Sequence, residues 1–290
     1  MKTSVNAYAK INLFLDIESM RRDGYHNILS LMQSVSLYDL IEVEYIPMED
    51  KSVEITCSNE SIPCDSTNLA YKAADLYPIV GKIKISIKKE IPVSAGLAGG
   101  SADAAAVLIA LNSFSKSPMT TEDLKRIGSK LGADVPFCIE NGSCIATGTG
   151  DILNKAPAMP YYPIVIAKKG EGMSTPKAYH ALDNVYNKFV GYTPKTDLLN
   201  ILTKHNNSSI SLNDYSKGLF NIFESVVEPC RPAVTELKNT MTSYGAKCSM
   251  MSGSGTSVFG LFENEEDAKK ALTKLKDIGA IAHLCYPIQK

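Results

Sequence analysis

The chain has 290 residues, 44% of them hydrophobic and 21% charged, with 30 Lys and Arg against 31 Asp and Glu. That length favours two domains over one, and the composition is that of a globular protein. The balanced charge, with no long basic block, argues against a nucleic-acid partner, and no apolar run reaches the roughly 20 residues of a membrane-spanning helix.

The opening MKTSVNAYAKINLFLDI is interrupted by Lys10 and Asn12, so it does not read as a signal peptide, and a cytoplasmic location is expected. Residues 7–15 alternate, with Ala9, Ile11, Leu13 and Leu15 on one face and Tyr8, Lys10, Asn12 and Phe14 on the other, which predicts a strand. Asp23-Gly24 is a tight-turn signal that puts Tyr25 and His26 just past a turn, and IEVEYI and VEIT read as further strands. Helical spacing over 66–77 stops at Pro78, and KIKISIKKEI from residue 82 alternates as a half-buried strand.

Residues 91–112, IPVSAGLAGGSADAAAVLIALN, put three glycines within five positions at the mouth of an apolar helix that begins near Ser101. Two readings fit: a tight turn with close packing, or an anion held by main-chain N–H groups at a helix start. Neither G-x-x-x-x-G-K-[ST] nor G-x-G-x-x-G is present. Thr120 to Asp123 approximate a capping box for a helix carrying Leu124, Ile127 and Leu131 and closed by Gly132. Asp134 follows, before Pro136; FCIE, Asn141-Gly142 and SCIAT are expected to form a β-hairpin, and 148–162 to be an interdomain boundary. Beyond it come a strand PIVIA, a helix over 229–244, strands at 247–251 and 257–262, a helix over 265–278 and a strand at 281–286. That order is β-α-β-β-α-β, a ferredoxin-like plan.

Seven scattered cysteines without C-x-x-C, and four isolated histidines, predict no structural metal site, leaving only a magnesium ion carried by a nucleotide. A lysine such as Lys10 inside an apolar strand is either an edge residue or a functional one. Paired with a carboxylate such as Asp134, it could activate a hydroxyl for phosphoryl transfer.

The stretches AKINLFLDI, RRDGYH, IPVSAGLAGGSADAA, LGADVPF and SGSGTSVF, in this order, resemble the GHMP small-molecule kinases. The resemblance implies a two-domain α+β fold: an N-terminal ribosomal-protein-S5-like domain over 1–155, carrying the ATP phosphate loop, and a C-terminal ferredoxin-like domain over 156–290. The active site would lie in the cleft between the two. Gly24, Tyr25 and His26 separate the subgroup it most resembles from the homoserine and mevalonate kinases. In that subgroup the γ-phosphoryl group of ATP goes to the 2-hydroxyl of a cytidine diphosphate methylerythritol, a small-molecule substrate of the non-mevalonate isoprenoid pathway.

Carried over residue by residue, the resemblance makes Asp134 the general base and Lys10 its partner. Pro92, Val93, Ser94, Ala95, Gly96, Leu97, Ala98, Gly99, Gly100, Ser101 and Ala102 would wrap the ATP phosphates, with Asn68 on the adenine side. Ser101 would offer its hydroxyl to phosphate or to Mg2+. Asn12 would bond the substrate near its reacting end, while Tyr25 and Tyr179 would stack on cytosine and His26 would read its edge. The SGSGTS loop, 252–257, would back the phosphate loop. The family pattern has glycine and serine where this chain has Ala98 and Ala102, so backbone N–H groups must serve there. A monomer or weak homodimer is expected. The rival readings are a kinase of another alcohol, such as homoserine, and a catalytically silent nucleotide-binding module.

Overall fold

The computed structural model describes residues 1–196, 198, 200 and 210–290; His205 lies outside the described residues. In chain order the elements are β1 (Lys2–Met20), β2 (His26–Ile46), β3 (Ser52–Cys57), α1 (Leu69–Leu76), β4 (Lys82–Lys88), α2 (Gly99–Phe114), α3 (Thr121–Gly128) and α4 (Val135–Glu140). They continue with β5 (Ser143–Thr147), β6 (Ile152–Lys155), β7 (Ile164–Lys168), α5 (Thr175–Val185), α6 (Leu212–Gly218), β8 (Phe220–Asn221) and α7 (Glu224–Val227). The last are α8 (Pro232–Ser243), β9 (Cys248–Met251), β10 (Val258–Leu261), α9 (Glu265–Asp277) and β11 (Ile281–Cys285).

Two compact units are each assembled from separated segments. The first gathers Met1–Ala9, Tyr38–Ile91 and Ala98–Asn141; the second gathers Lys10–Leu37, Pro92–Leu97 and Gly142–Lys290.

In the first unit β3 pairs in parallel with β4, and β4 pairs antiparallel with the end of β2, with Ile55 beside Ile85 and Ile41 beside Ile87. Ile83, Ile85 and Ile87 are buried, as the alternation in KIKISIK requires. Behind them α2 packs against α1, α3 and α4. Its Ala102, Ala104, Ala105, Ala106 and Ala110 are all buried, so the helix is apolar on nearly every side, the signature of a central helix. Thr120 and Asp123 complete the expected capping box of α3.

That helix ends at Gly128, short of Gly132, and the absence of a Cβ on Gly128 admits Val135, whose Cγ1 lies 2.8 Å from where that Cβ would stand. Val135 belongs to α4, and here the expected hairpin is overturned: 135–140 is helical, with Pro136 in its first turn. Asn141 at φ 59° and Gly142 at φ 80° end that helix. Asn-Gly supplies left-handed backbone for a helix C-terminus as readily as for a hairpin, and packing of FCI against α2 and α3 selects the helix. SCIAT is a strand, β5, and its hairpin partner is β6, through a turn within 148–151.

In the second unit β7, β9, β10 and β11 form an antiparallel sheet in the order β11-β7-β10-β9, with α8 and α9 packed on it. This is the expected β-α-β-β-α-β arrangement. Here also β2 pairs with β5, and β1 pairs in parallel with β8, Phe14 beside Phe220. The strands β1 and β2 run far beyond the short segments legible in the sequence. Their polar interior residues disguise them: Ser30 is fully buried with its Oγ donated to Phe14 O at 2.6 Å, and Gln33 is buried with Nε2 donated to Ser34 O at 2.8 Å.

Candidate active site

In the second unit the glycine-loop residues before Ala98 are held from two directions. Lys10 N–H donates to Leu97 O at 3.1 Å, tying the loop to β1. Ser252 Oγ donates to Gly96 O at 3.0 Å and Ser257 N–H to Ala95 O at 3.2 Å, so the SGSGTS loop lies against it. Gly96 has φ +73°, and a Cβ there would sit 2.0 Å from Ser252 O, which leaves room only for glycine. Asn221 steadies the opposing loop by donating Nδ2 to Met251 O and Gly253 O, both at 2.8 Å. Lys168 Nζ donates to Val93 O at 2.5 Å, and burial pulls its pKa below the usual lysine range.

In the first unit α2 opens at Ala98, whose φ of 58° lies in the left-handed region and whose side chain gives no cap. Ala102 N–H donates to Ala98 O at 2.9 Å, the first intrahelical bond, so the N–H groups of Gly99, Gly100 and Ser101 have no partner within the helix. The first turn holds no acidic residue, leaving the positive end of the helix dipole uncompensated from within. Beneath Gly99, Lys89 Nζ pairs with Asp103 Oδ2 at 2.9 Å and with Asp39 Oδ2. Asp39 Oδ1 in turn accepts N–H from Glu90 at 2.6 Å and Ile91 at 2.9 Å, fixing the chain just before the loop. Burial pushes the Asp103 carboxyl up to about 7 against the pull of Lys89, and its Oδ1 is buried without a partner.

Lys10 is only 4% exposed, and its Nζ donates to Asn12 Oδ1 at 2.5 Å. Asn12 Nδ2 donates to Ser30 Oγ at 2.8 Å, which orients the amide with its oxygen toward the ammonium. The partner of this buried cation is thus an amide, whereas Lys89 has two carboxylates. Among the described residues no carboxylate pairs with it, and a buried ammonium without an anion is costly. The tip of Lys10 also borders Gly253, 3.2 Å from a Cβ built there.

Asp134 stands at the N-cap of α4, half-buried, with no capping bond from its side chain. It shares the first unit with the start of α2: Ser101 Oγ is 3.9 Å from a Cβ built on Gly132, two residues earlier. Asn68 caps α1, accepting from Ala70 N–H at 2.9 Å and donating to Pro63 O at 2.8 Å. Gly100 borders the same helix, with Leu69 Cδ1 3.8 Å from a Cβ built on it.

In the second unit Gly24 turns the chain at φ +86°, leaving Tyr25 67% exposed and His26 buried at the start of β2. Tyr179, in α5, stacks on the His26 ring at 4.8 Å between centroids and 27° between planes, and Phe189 meets its edge at 5.6 Å. His26 Nε2 lies 2.7 Å from Asp183 Oδ1. Sequence reasoning singled out Tyr179 and missed Asp183, although it follows by four residues on the same helix and so shares its face. Ser30 and Asn221 were missed as well, for lack of any local signal in a strand serine or asparagine.

Residues 68–142 match the family described as GHMP kinases N terminal domain, and residues 202–281 match GHMP kinases C terminal. A 4-diphosphocytidyl-2-C-methyl-D-erythritol kinase of Caldicellulosiruptor saccharolyticus is 42% identical over 94% of this chain and 92% of its own. A kinase of the same name from Clostridium botulinum is 39% identical over 94% and 95%. A crystal structure of 4-(cytidine 5'-diphospho)-2C-methyl-D-erythritol kinase superposes with a TM-score of 0.79 at 30% identity, covering 99% of this chain and all of that one. The chain belongs to the 4-diphosphocytidyl-2-C-methyl-D-erythritol kinases, a branch of the GHMP kinases.

Proposed function

We propose that this chain transfers the γ-phosphoryl group of ATP to the 2-hydroxyl of 4-diphosphocytidyl-2-C-methyl-D-erythritol, in the non-mevalonate route to isoprenoid precursors. Its near full-length likeness to kinases of that name supports the reading. The observation that carries it in the structure is buried Lys10, whose ammonium donates to the Asn12 amide oxygen and whose main-chain N–H donates to Leu97 O in the glycine loop.

In this reading Asp134 takes the proton of the 2-hydroxyl as the oxygen bonds to the γ-phosphorus. The bond from that phosphorus to the β–γ bridging oxygen breaks, and ADP departs. Free aspartate, with a pKa of about 3.9, is a weak base for an alcohol, so proton transfer comes late and positioning dominates. Lys10 favours the ionised carboxylate and offsets the developing alkoxide charge. The loop from residue 92 to 102 wraps the ATP phosphates with main-chain N–H groups, and Asn68 holds the entry to the adenine side. Asn12 bonds the substrate near its reacting end, Tyr25 and Tyr179 contact the cytosine, and His26 reads its edge.

The Ser101 hydroxyl, in the open first turn of α2 and facing the stretch that leads to Asp134, fits Mg2+, which prefers oxygen ligands and takes most of them from nucleotide phosphates and water. When bound with the nucleotide, the ion would supply neutralisation of phosphate charge.

The test is ADP release with the cytidylyl substrate compared against homoserine and mevalonate. Turnover on homoserine alone would favour the rival alcohol. In the same assay Asp134→Asn should cost about 10²-fold or more in kcat. Near-normal kcat in a variant that binds both ligands would remove Asp134 as the base.

A further inference from the structure

We propose that Asp183 is a specificity-determining positioning residue, which fixes His26 as a hydrogen-bond acceptor and so makes the nucleotide pocket choose cytosine over uracil; this rests on the base-pocket reading above. The His26 ring is held on several sides. Its Nε2 faces Asp183 Oδ1 at 2.7 Å, Tyr179 covers one face at 4.8 Å, and Phe189 closes an edge at 5.6 Å. Tyr179 and Asp183 lie one turn apart on α5, so a single helix supplies both the stacking wall and the carboxylate. The pair is sheltered from solvent, with side chains 5% exposed for His26 and 16% for Asp183.

A carboxylate can only accept. The ring proton therefore sits on Nε2, and in the neutral imidazole Nδ1 is left with a lone pair. A pocket wall that accepts suits the exocyclic amine of cytosine, a donor, and disfavours uracil, which presents a carbonyl oxygen at that position. Asp183 makes this choice without touching the base, by deciding which ring nitrogen carries the proton. An imidazole without this partner could place its proton on either nitrogen, and the preference for one base edge would go with it.

The test combines two measurements. First, 15N spectra of histidine-labelled protein, which has four histidines, report the protonation of each ring nitrogen with no ligand present. Second, binding of cytidine diphosphate and uridine diphosphate is compared in wild type, Asp183→Ala and Asp183→Asn. The expected result is an Nε2-protonated His26 in wild type, lost as a single form in Asp183→Ala, where the preference for the cytidine ligand falls about tenfold. Asp183→Asn, whose amide oxygen can accept the same N–H, should keep most of the preference, and the KM for ATP should stay unchanged in both variants.

An Nδ1-protonated or doubly protonated His26 in wild type overturns the proposal, as does a full preference in Asp183→Ala. Wild-type protein that binds the two nucleotides equally overturns the base-pocket reading itself, and the selectivity role with it. Should Asp183→Ala fail to fold, the wild-type spectrum and Asp183→Asn still decide, since an asparagine variant that keeps an Nε2-protonated His26 yet loses the preference contradicts a role through the ring proton.

Discussion

The carbonyl oxygen of Ser252 lies 2.0 Å from the point where a Cβ on Gly96 would stand, so these two loops meet backbone to backbone. Gly96→Ala must displace one of them, and its φ of +73° adds backbone strain. The expected outcome is a raised KM for ATP and a lowered melting temperature. An unchanged ATP KM would mean that this contact does not shape the phosphate loop.

Two residues on, the chain keeps an alanine in left-handed backbone, Ala98 at φ 58°. That conformation costs a non-glycine residue about 1–2 kcal/mol, while glycine adds about 0.4–1 kcal/mol of unfolded-state entropy to be lost. Ala98→Gly should therefore leave stability unchanged or raise it by up to ~1.6 kcal/mol, with the N–H donors of α2 intact. A clear drop in melting temperature would show that the Ala98 methyl contributes packing that outweighs the strain.

Lys10 and Lys89 are both buried lysines, and opposite responses to one substitution are expected. Lys89→Met strands Asp39 and Asp103 without their cation and should cost about 3–5 kcal/mol of stability. Lys10→Met removes a buried charge whose partner among the described residues is an amide, so the melting temperature should hold or rise while turnover falls by about 10²-fold or more. Loss of stability in Lys10→Met without loss of turnover would assign Lys10 a structural role.

Asp103 predicts a pH dependence of stability. Burial raises its folded-state pKa to about 7 from the ordinary 3.8, so between those values the folded protein binds the proton that the unfolded chain has released. Its contribution is fully present below about pH 4 and is lost as pH rises through about 7. Thermal melts from pH 4 to 8 should show this fall in wild type and a flatter profile in Asp103→Asn. The same slope in both proteins would place its origin elsewhere.

Much of this molecule was legible in its sequence because local chemistry announces it. Alternation in KIKISIK, the Thr120–Asp123 capping box, the Asp23-Gly24 turn and the β-α-β-β-α-β order of the last third all express short-range preferences of backbone and side chain. The glycine loop, Lys10 and the Tyr25-His26 pair were likewise visible as residue types out of keeping with their surroundings.

Tertiary structure decided what depends on partners distant in the chain. FCIE had a strand's composition, but packing against α2 and α3 made it a helix, and Asn141-Gly142 then served as its end. Segments 10–37 and 92–97 join residues 142–290 in one compact unit because β1, β2 and the loop form hydrogen bonds with β5, β8 and the 252–257 turn. Asp183 acquires its role only when α5 brings it to 2.7 Å from His26, across 157 residues of chain. A sequence displays which groups can donate, accept or carry charge; which of them meet is decided by burial, where each polar atom must find a partner among those the fold brings close.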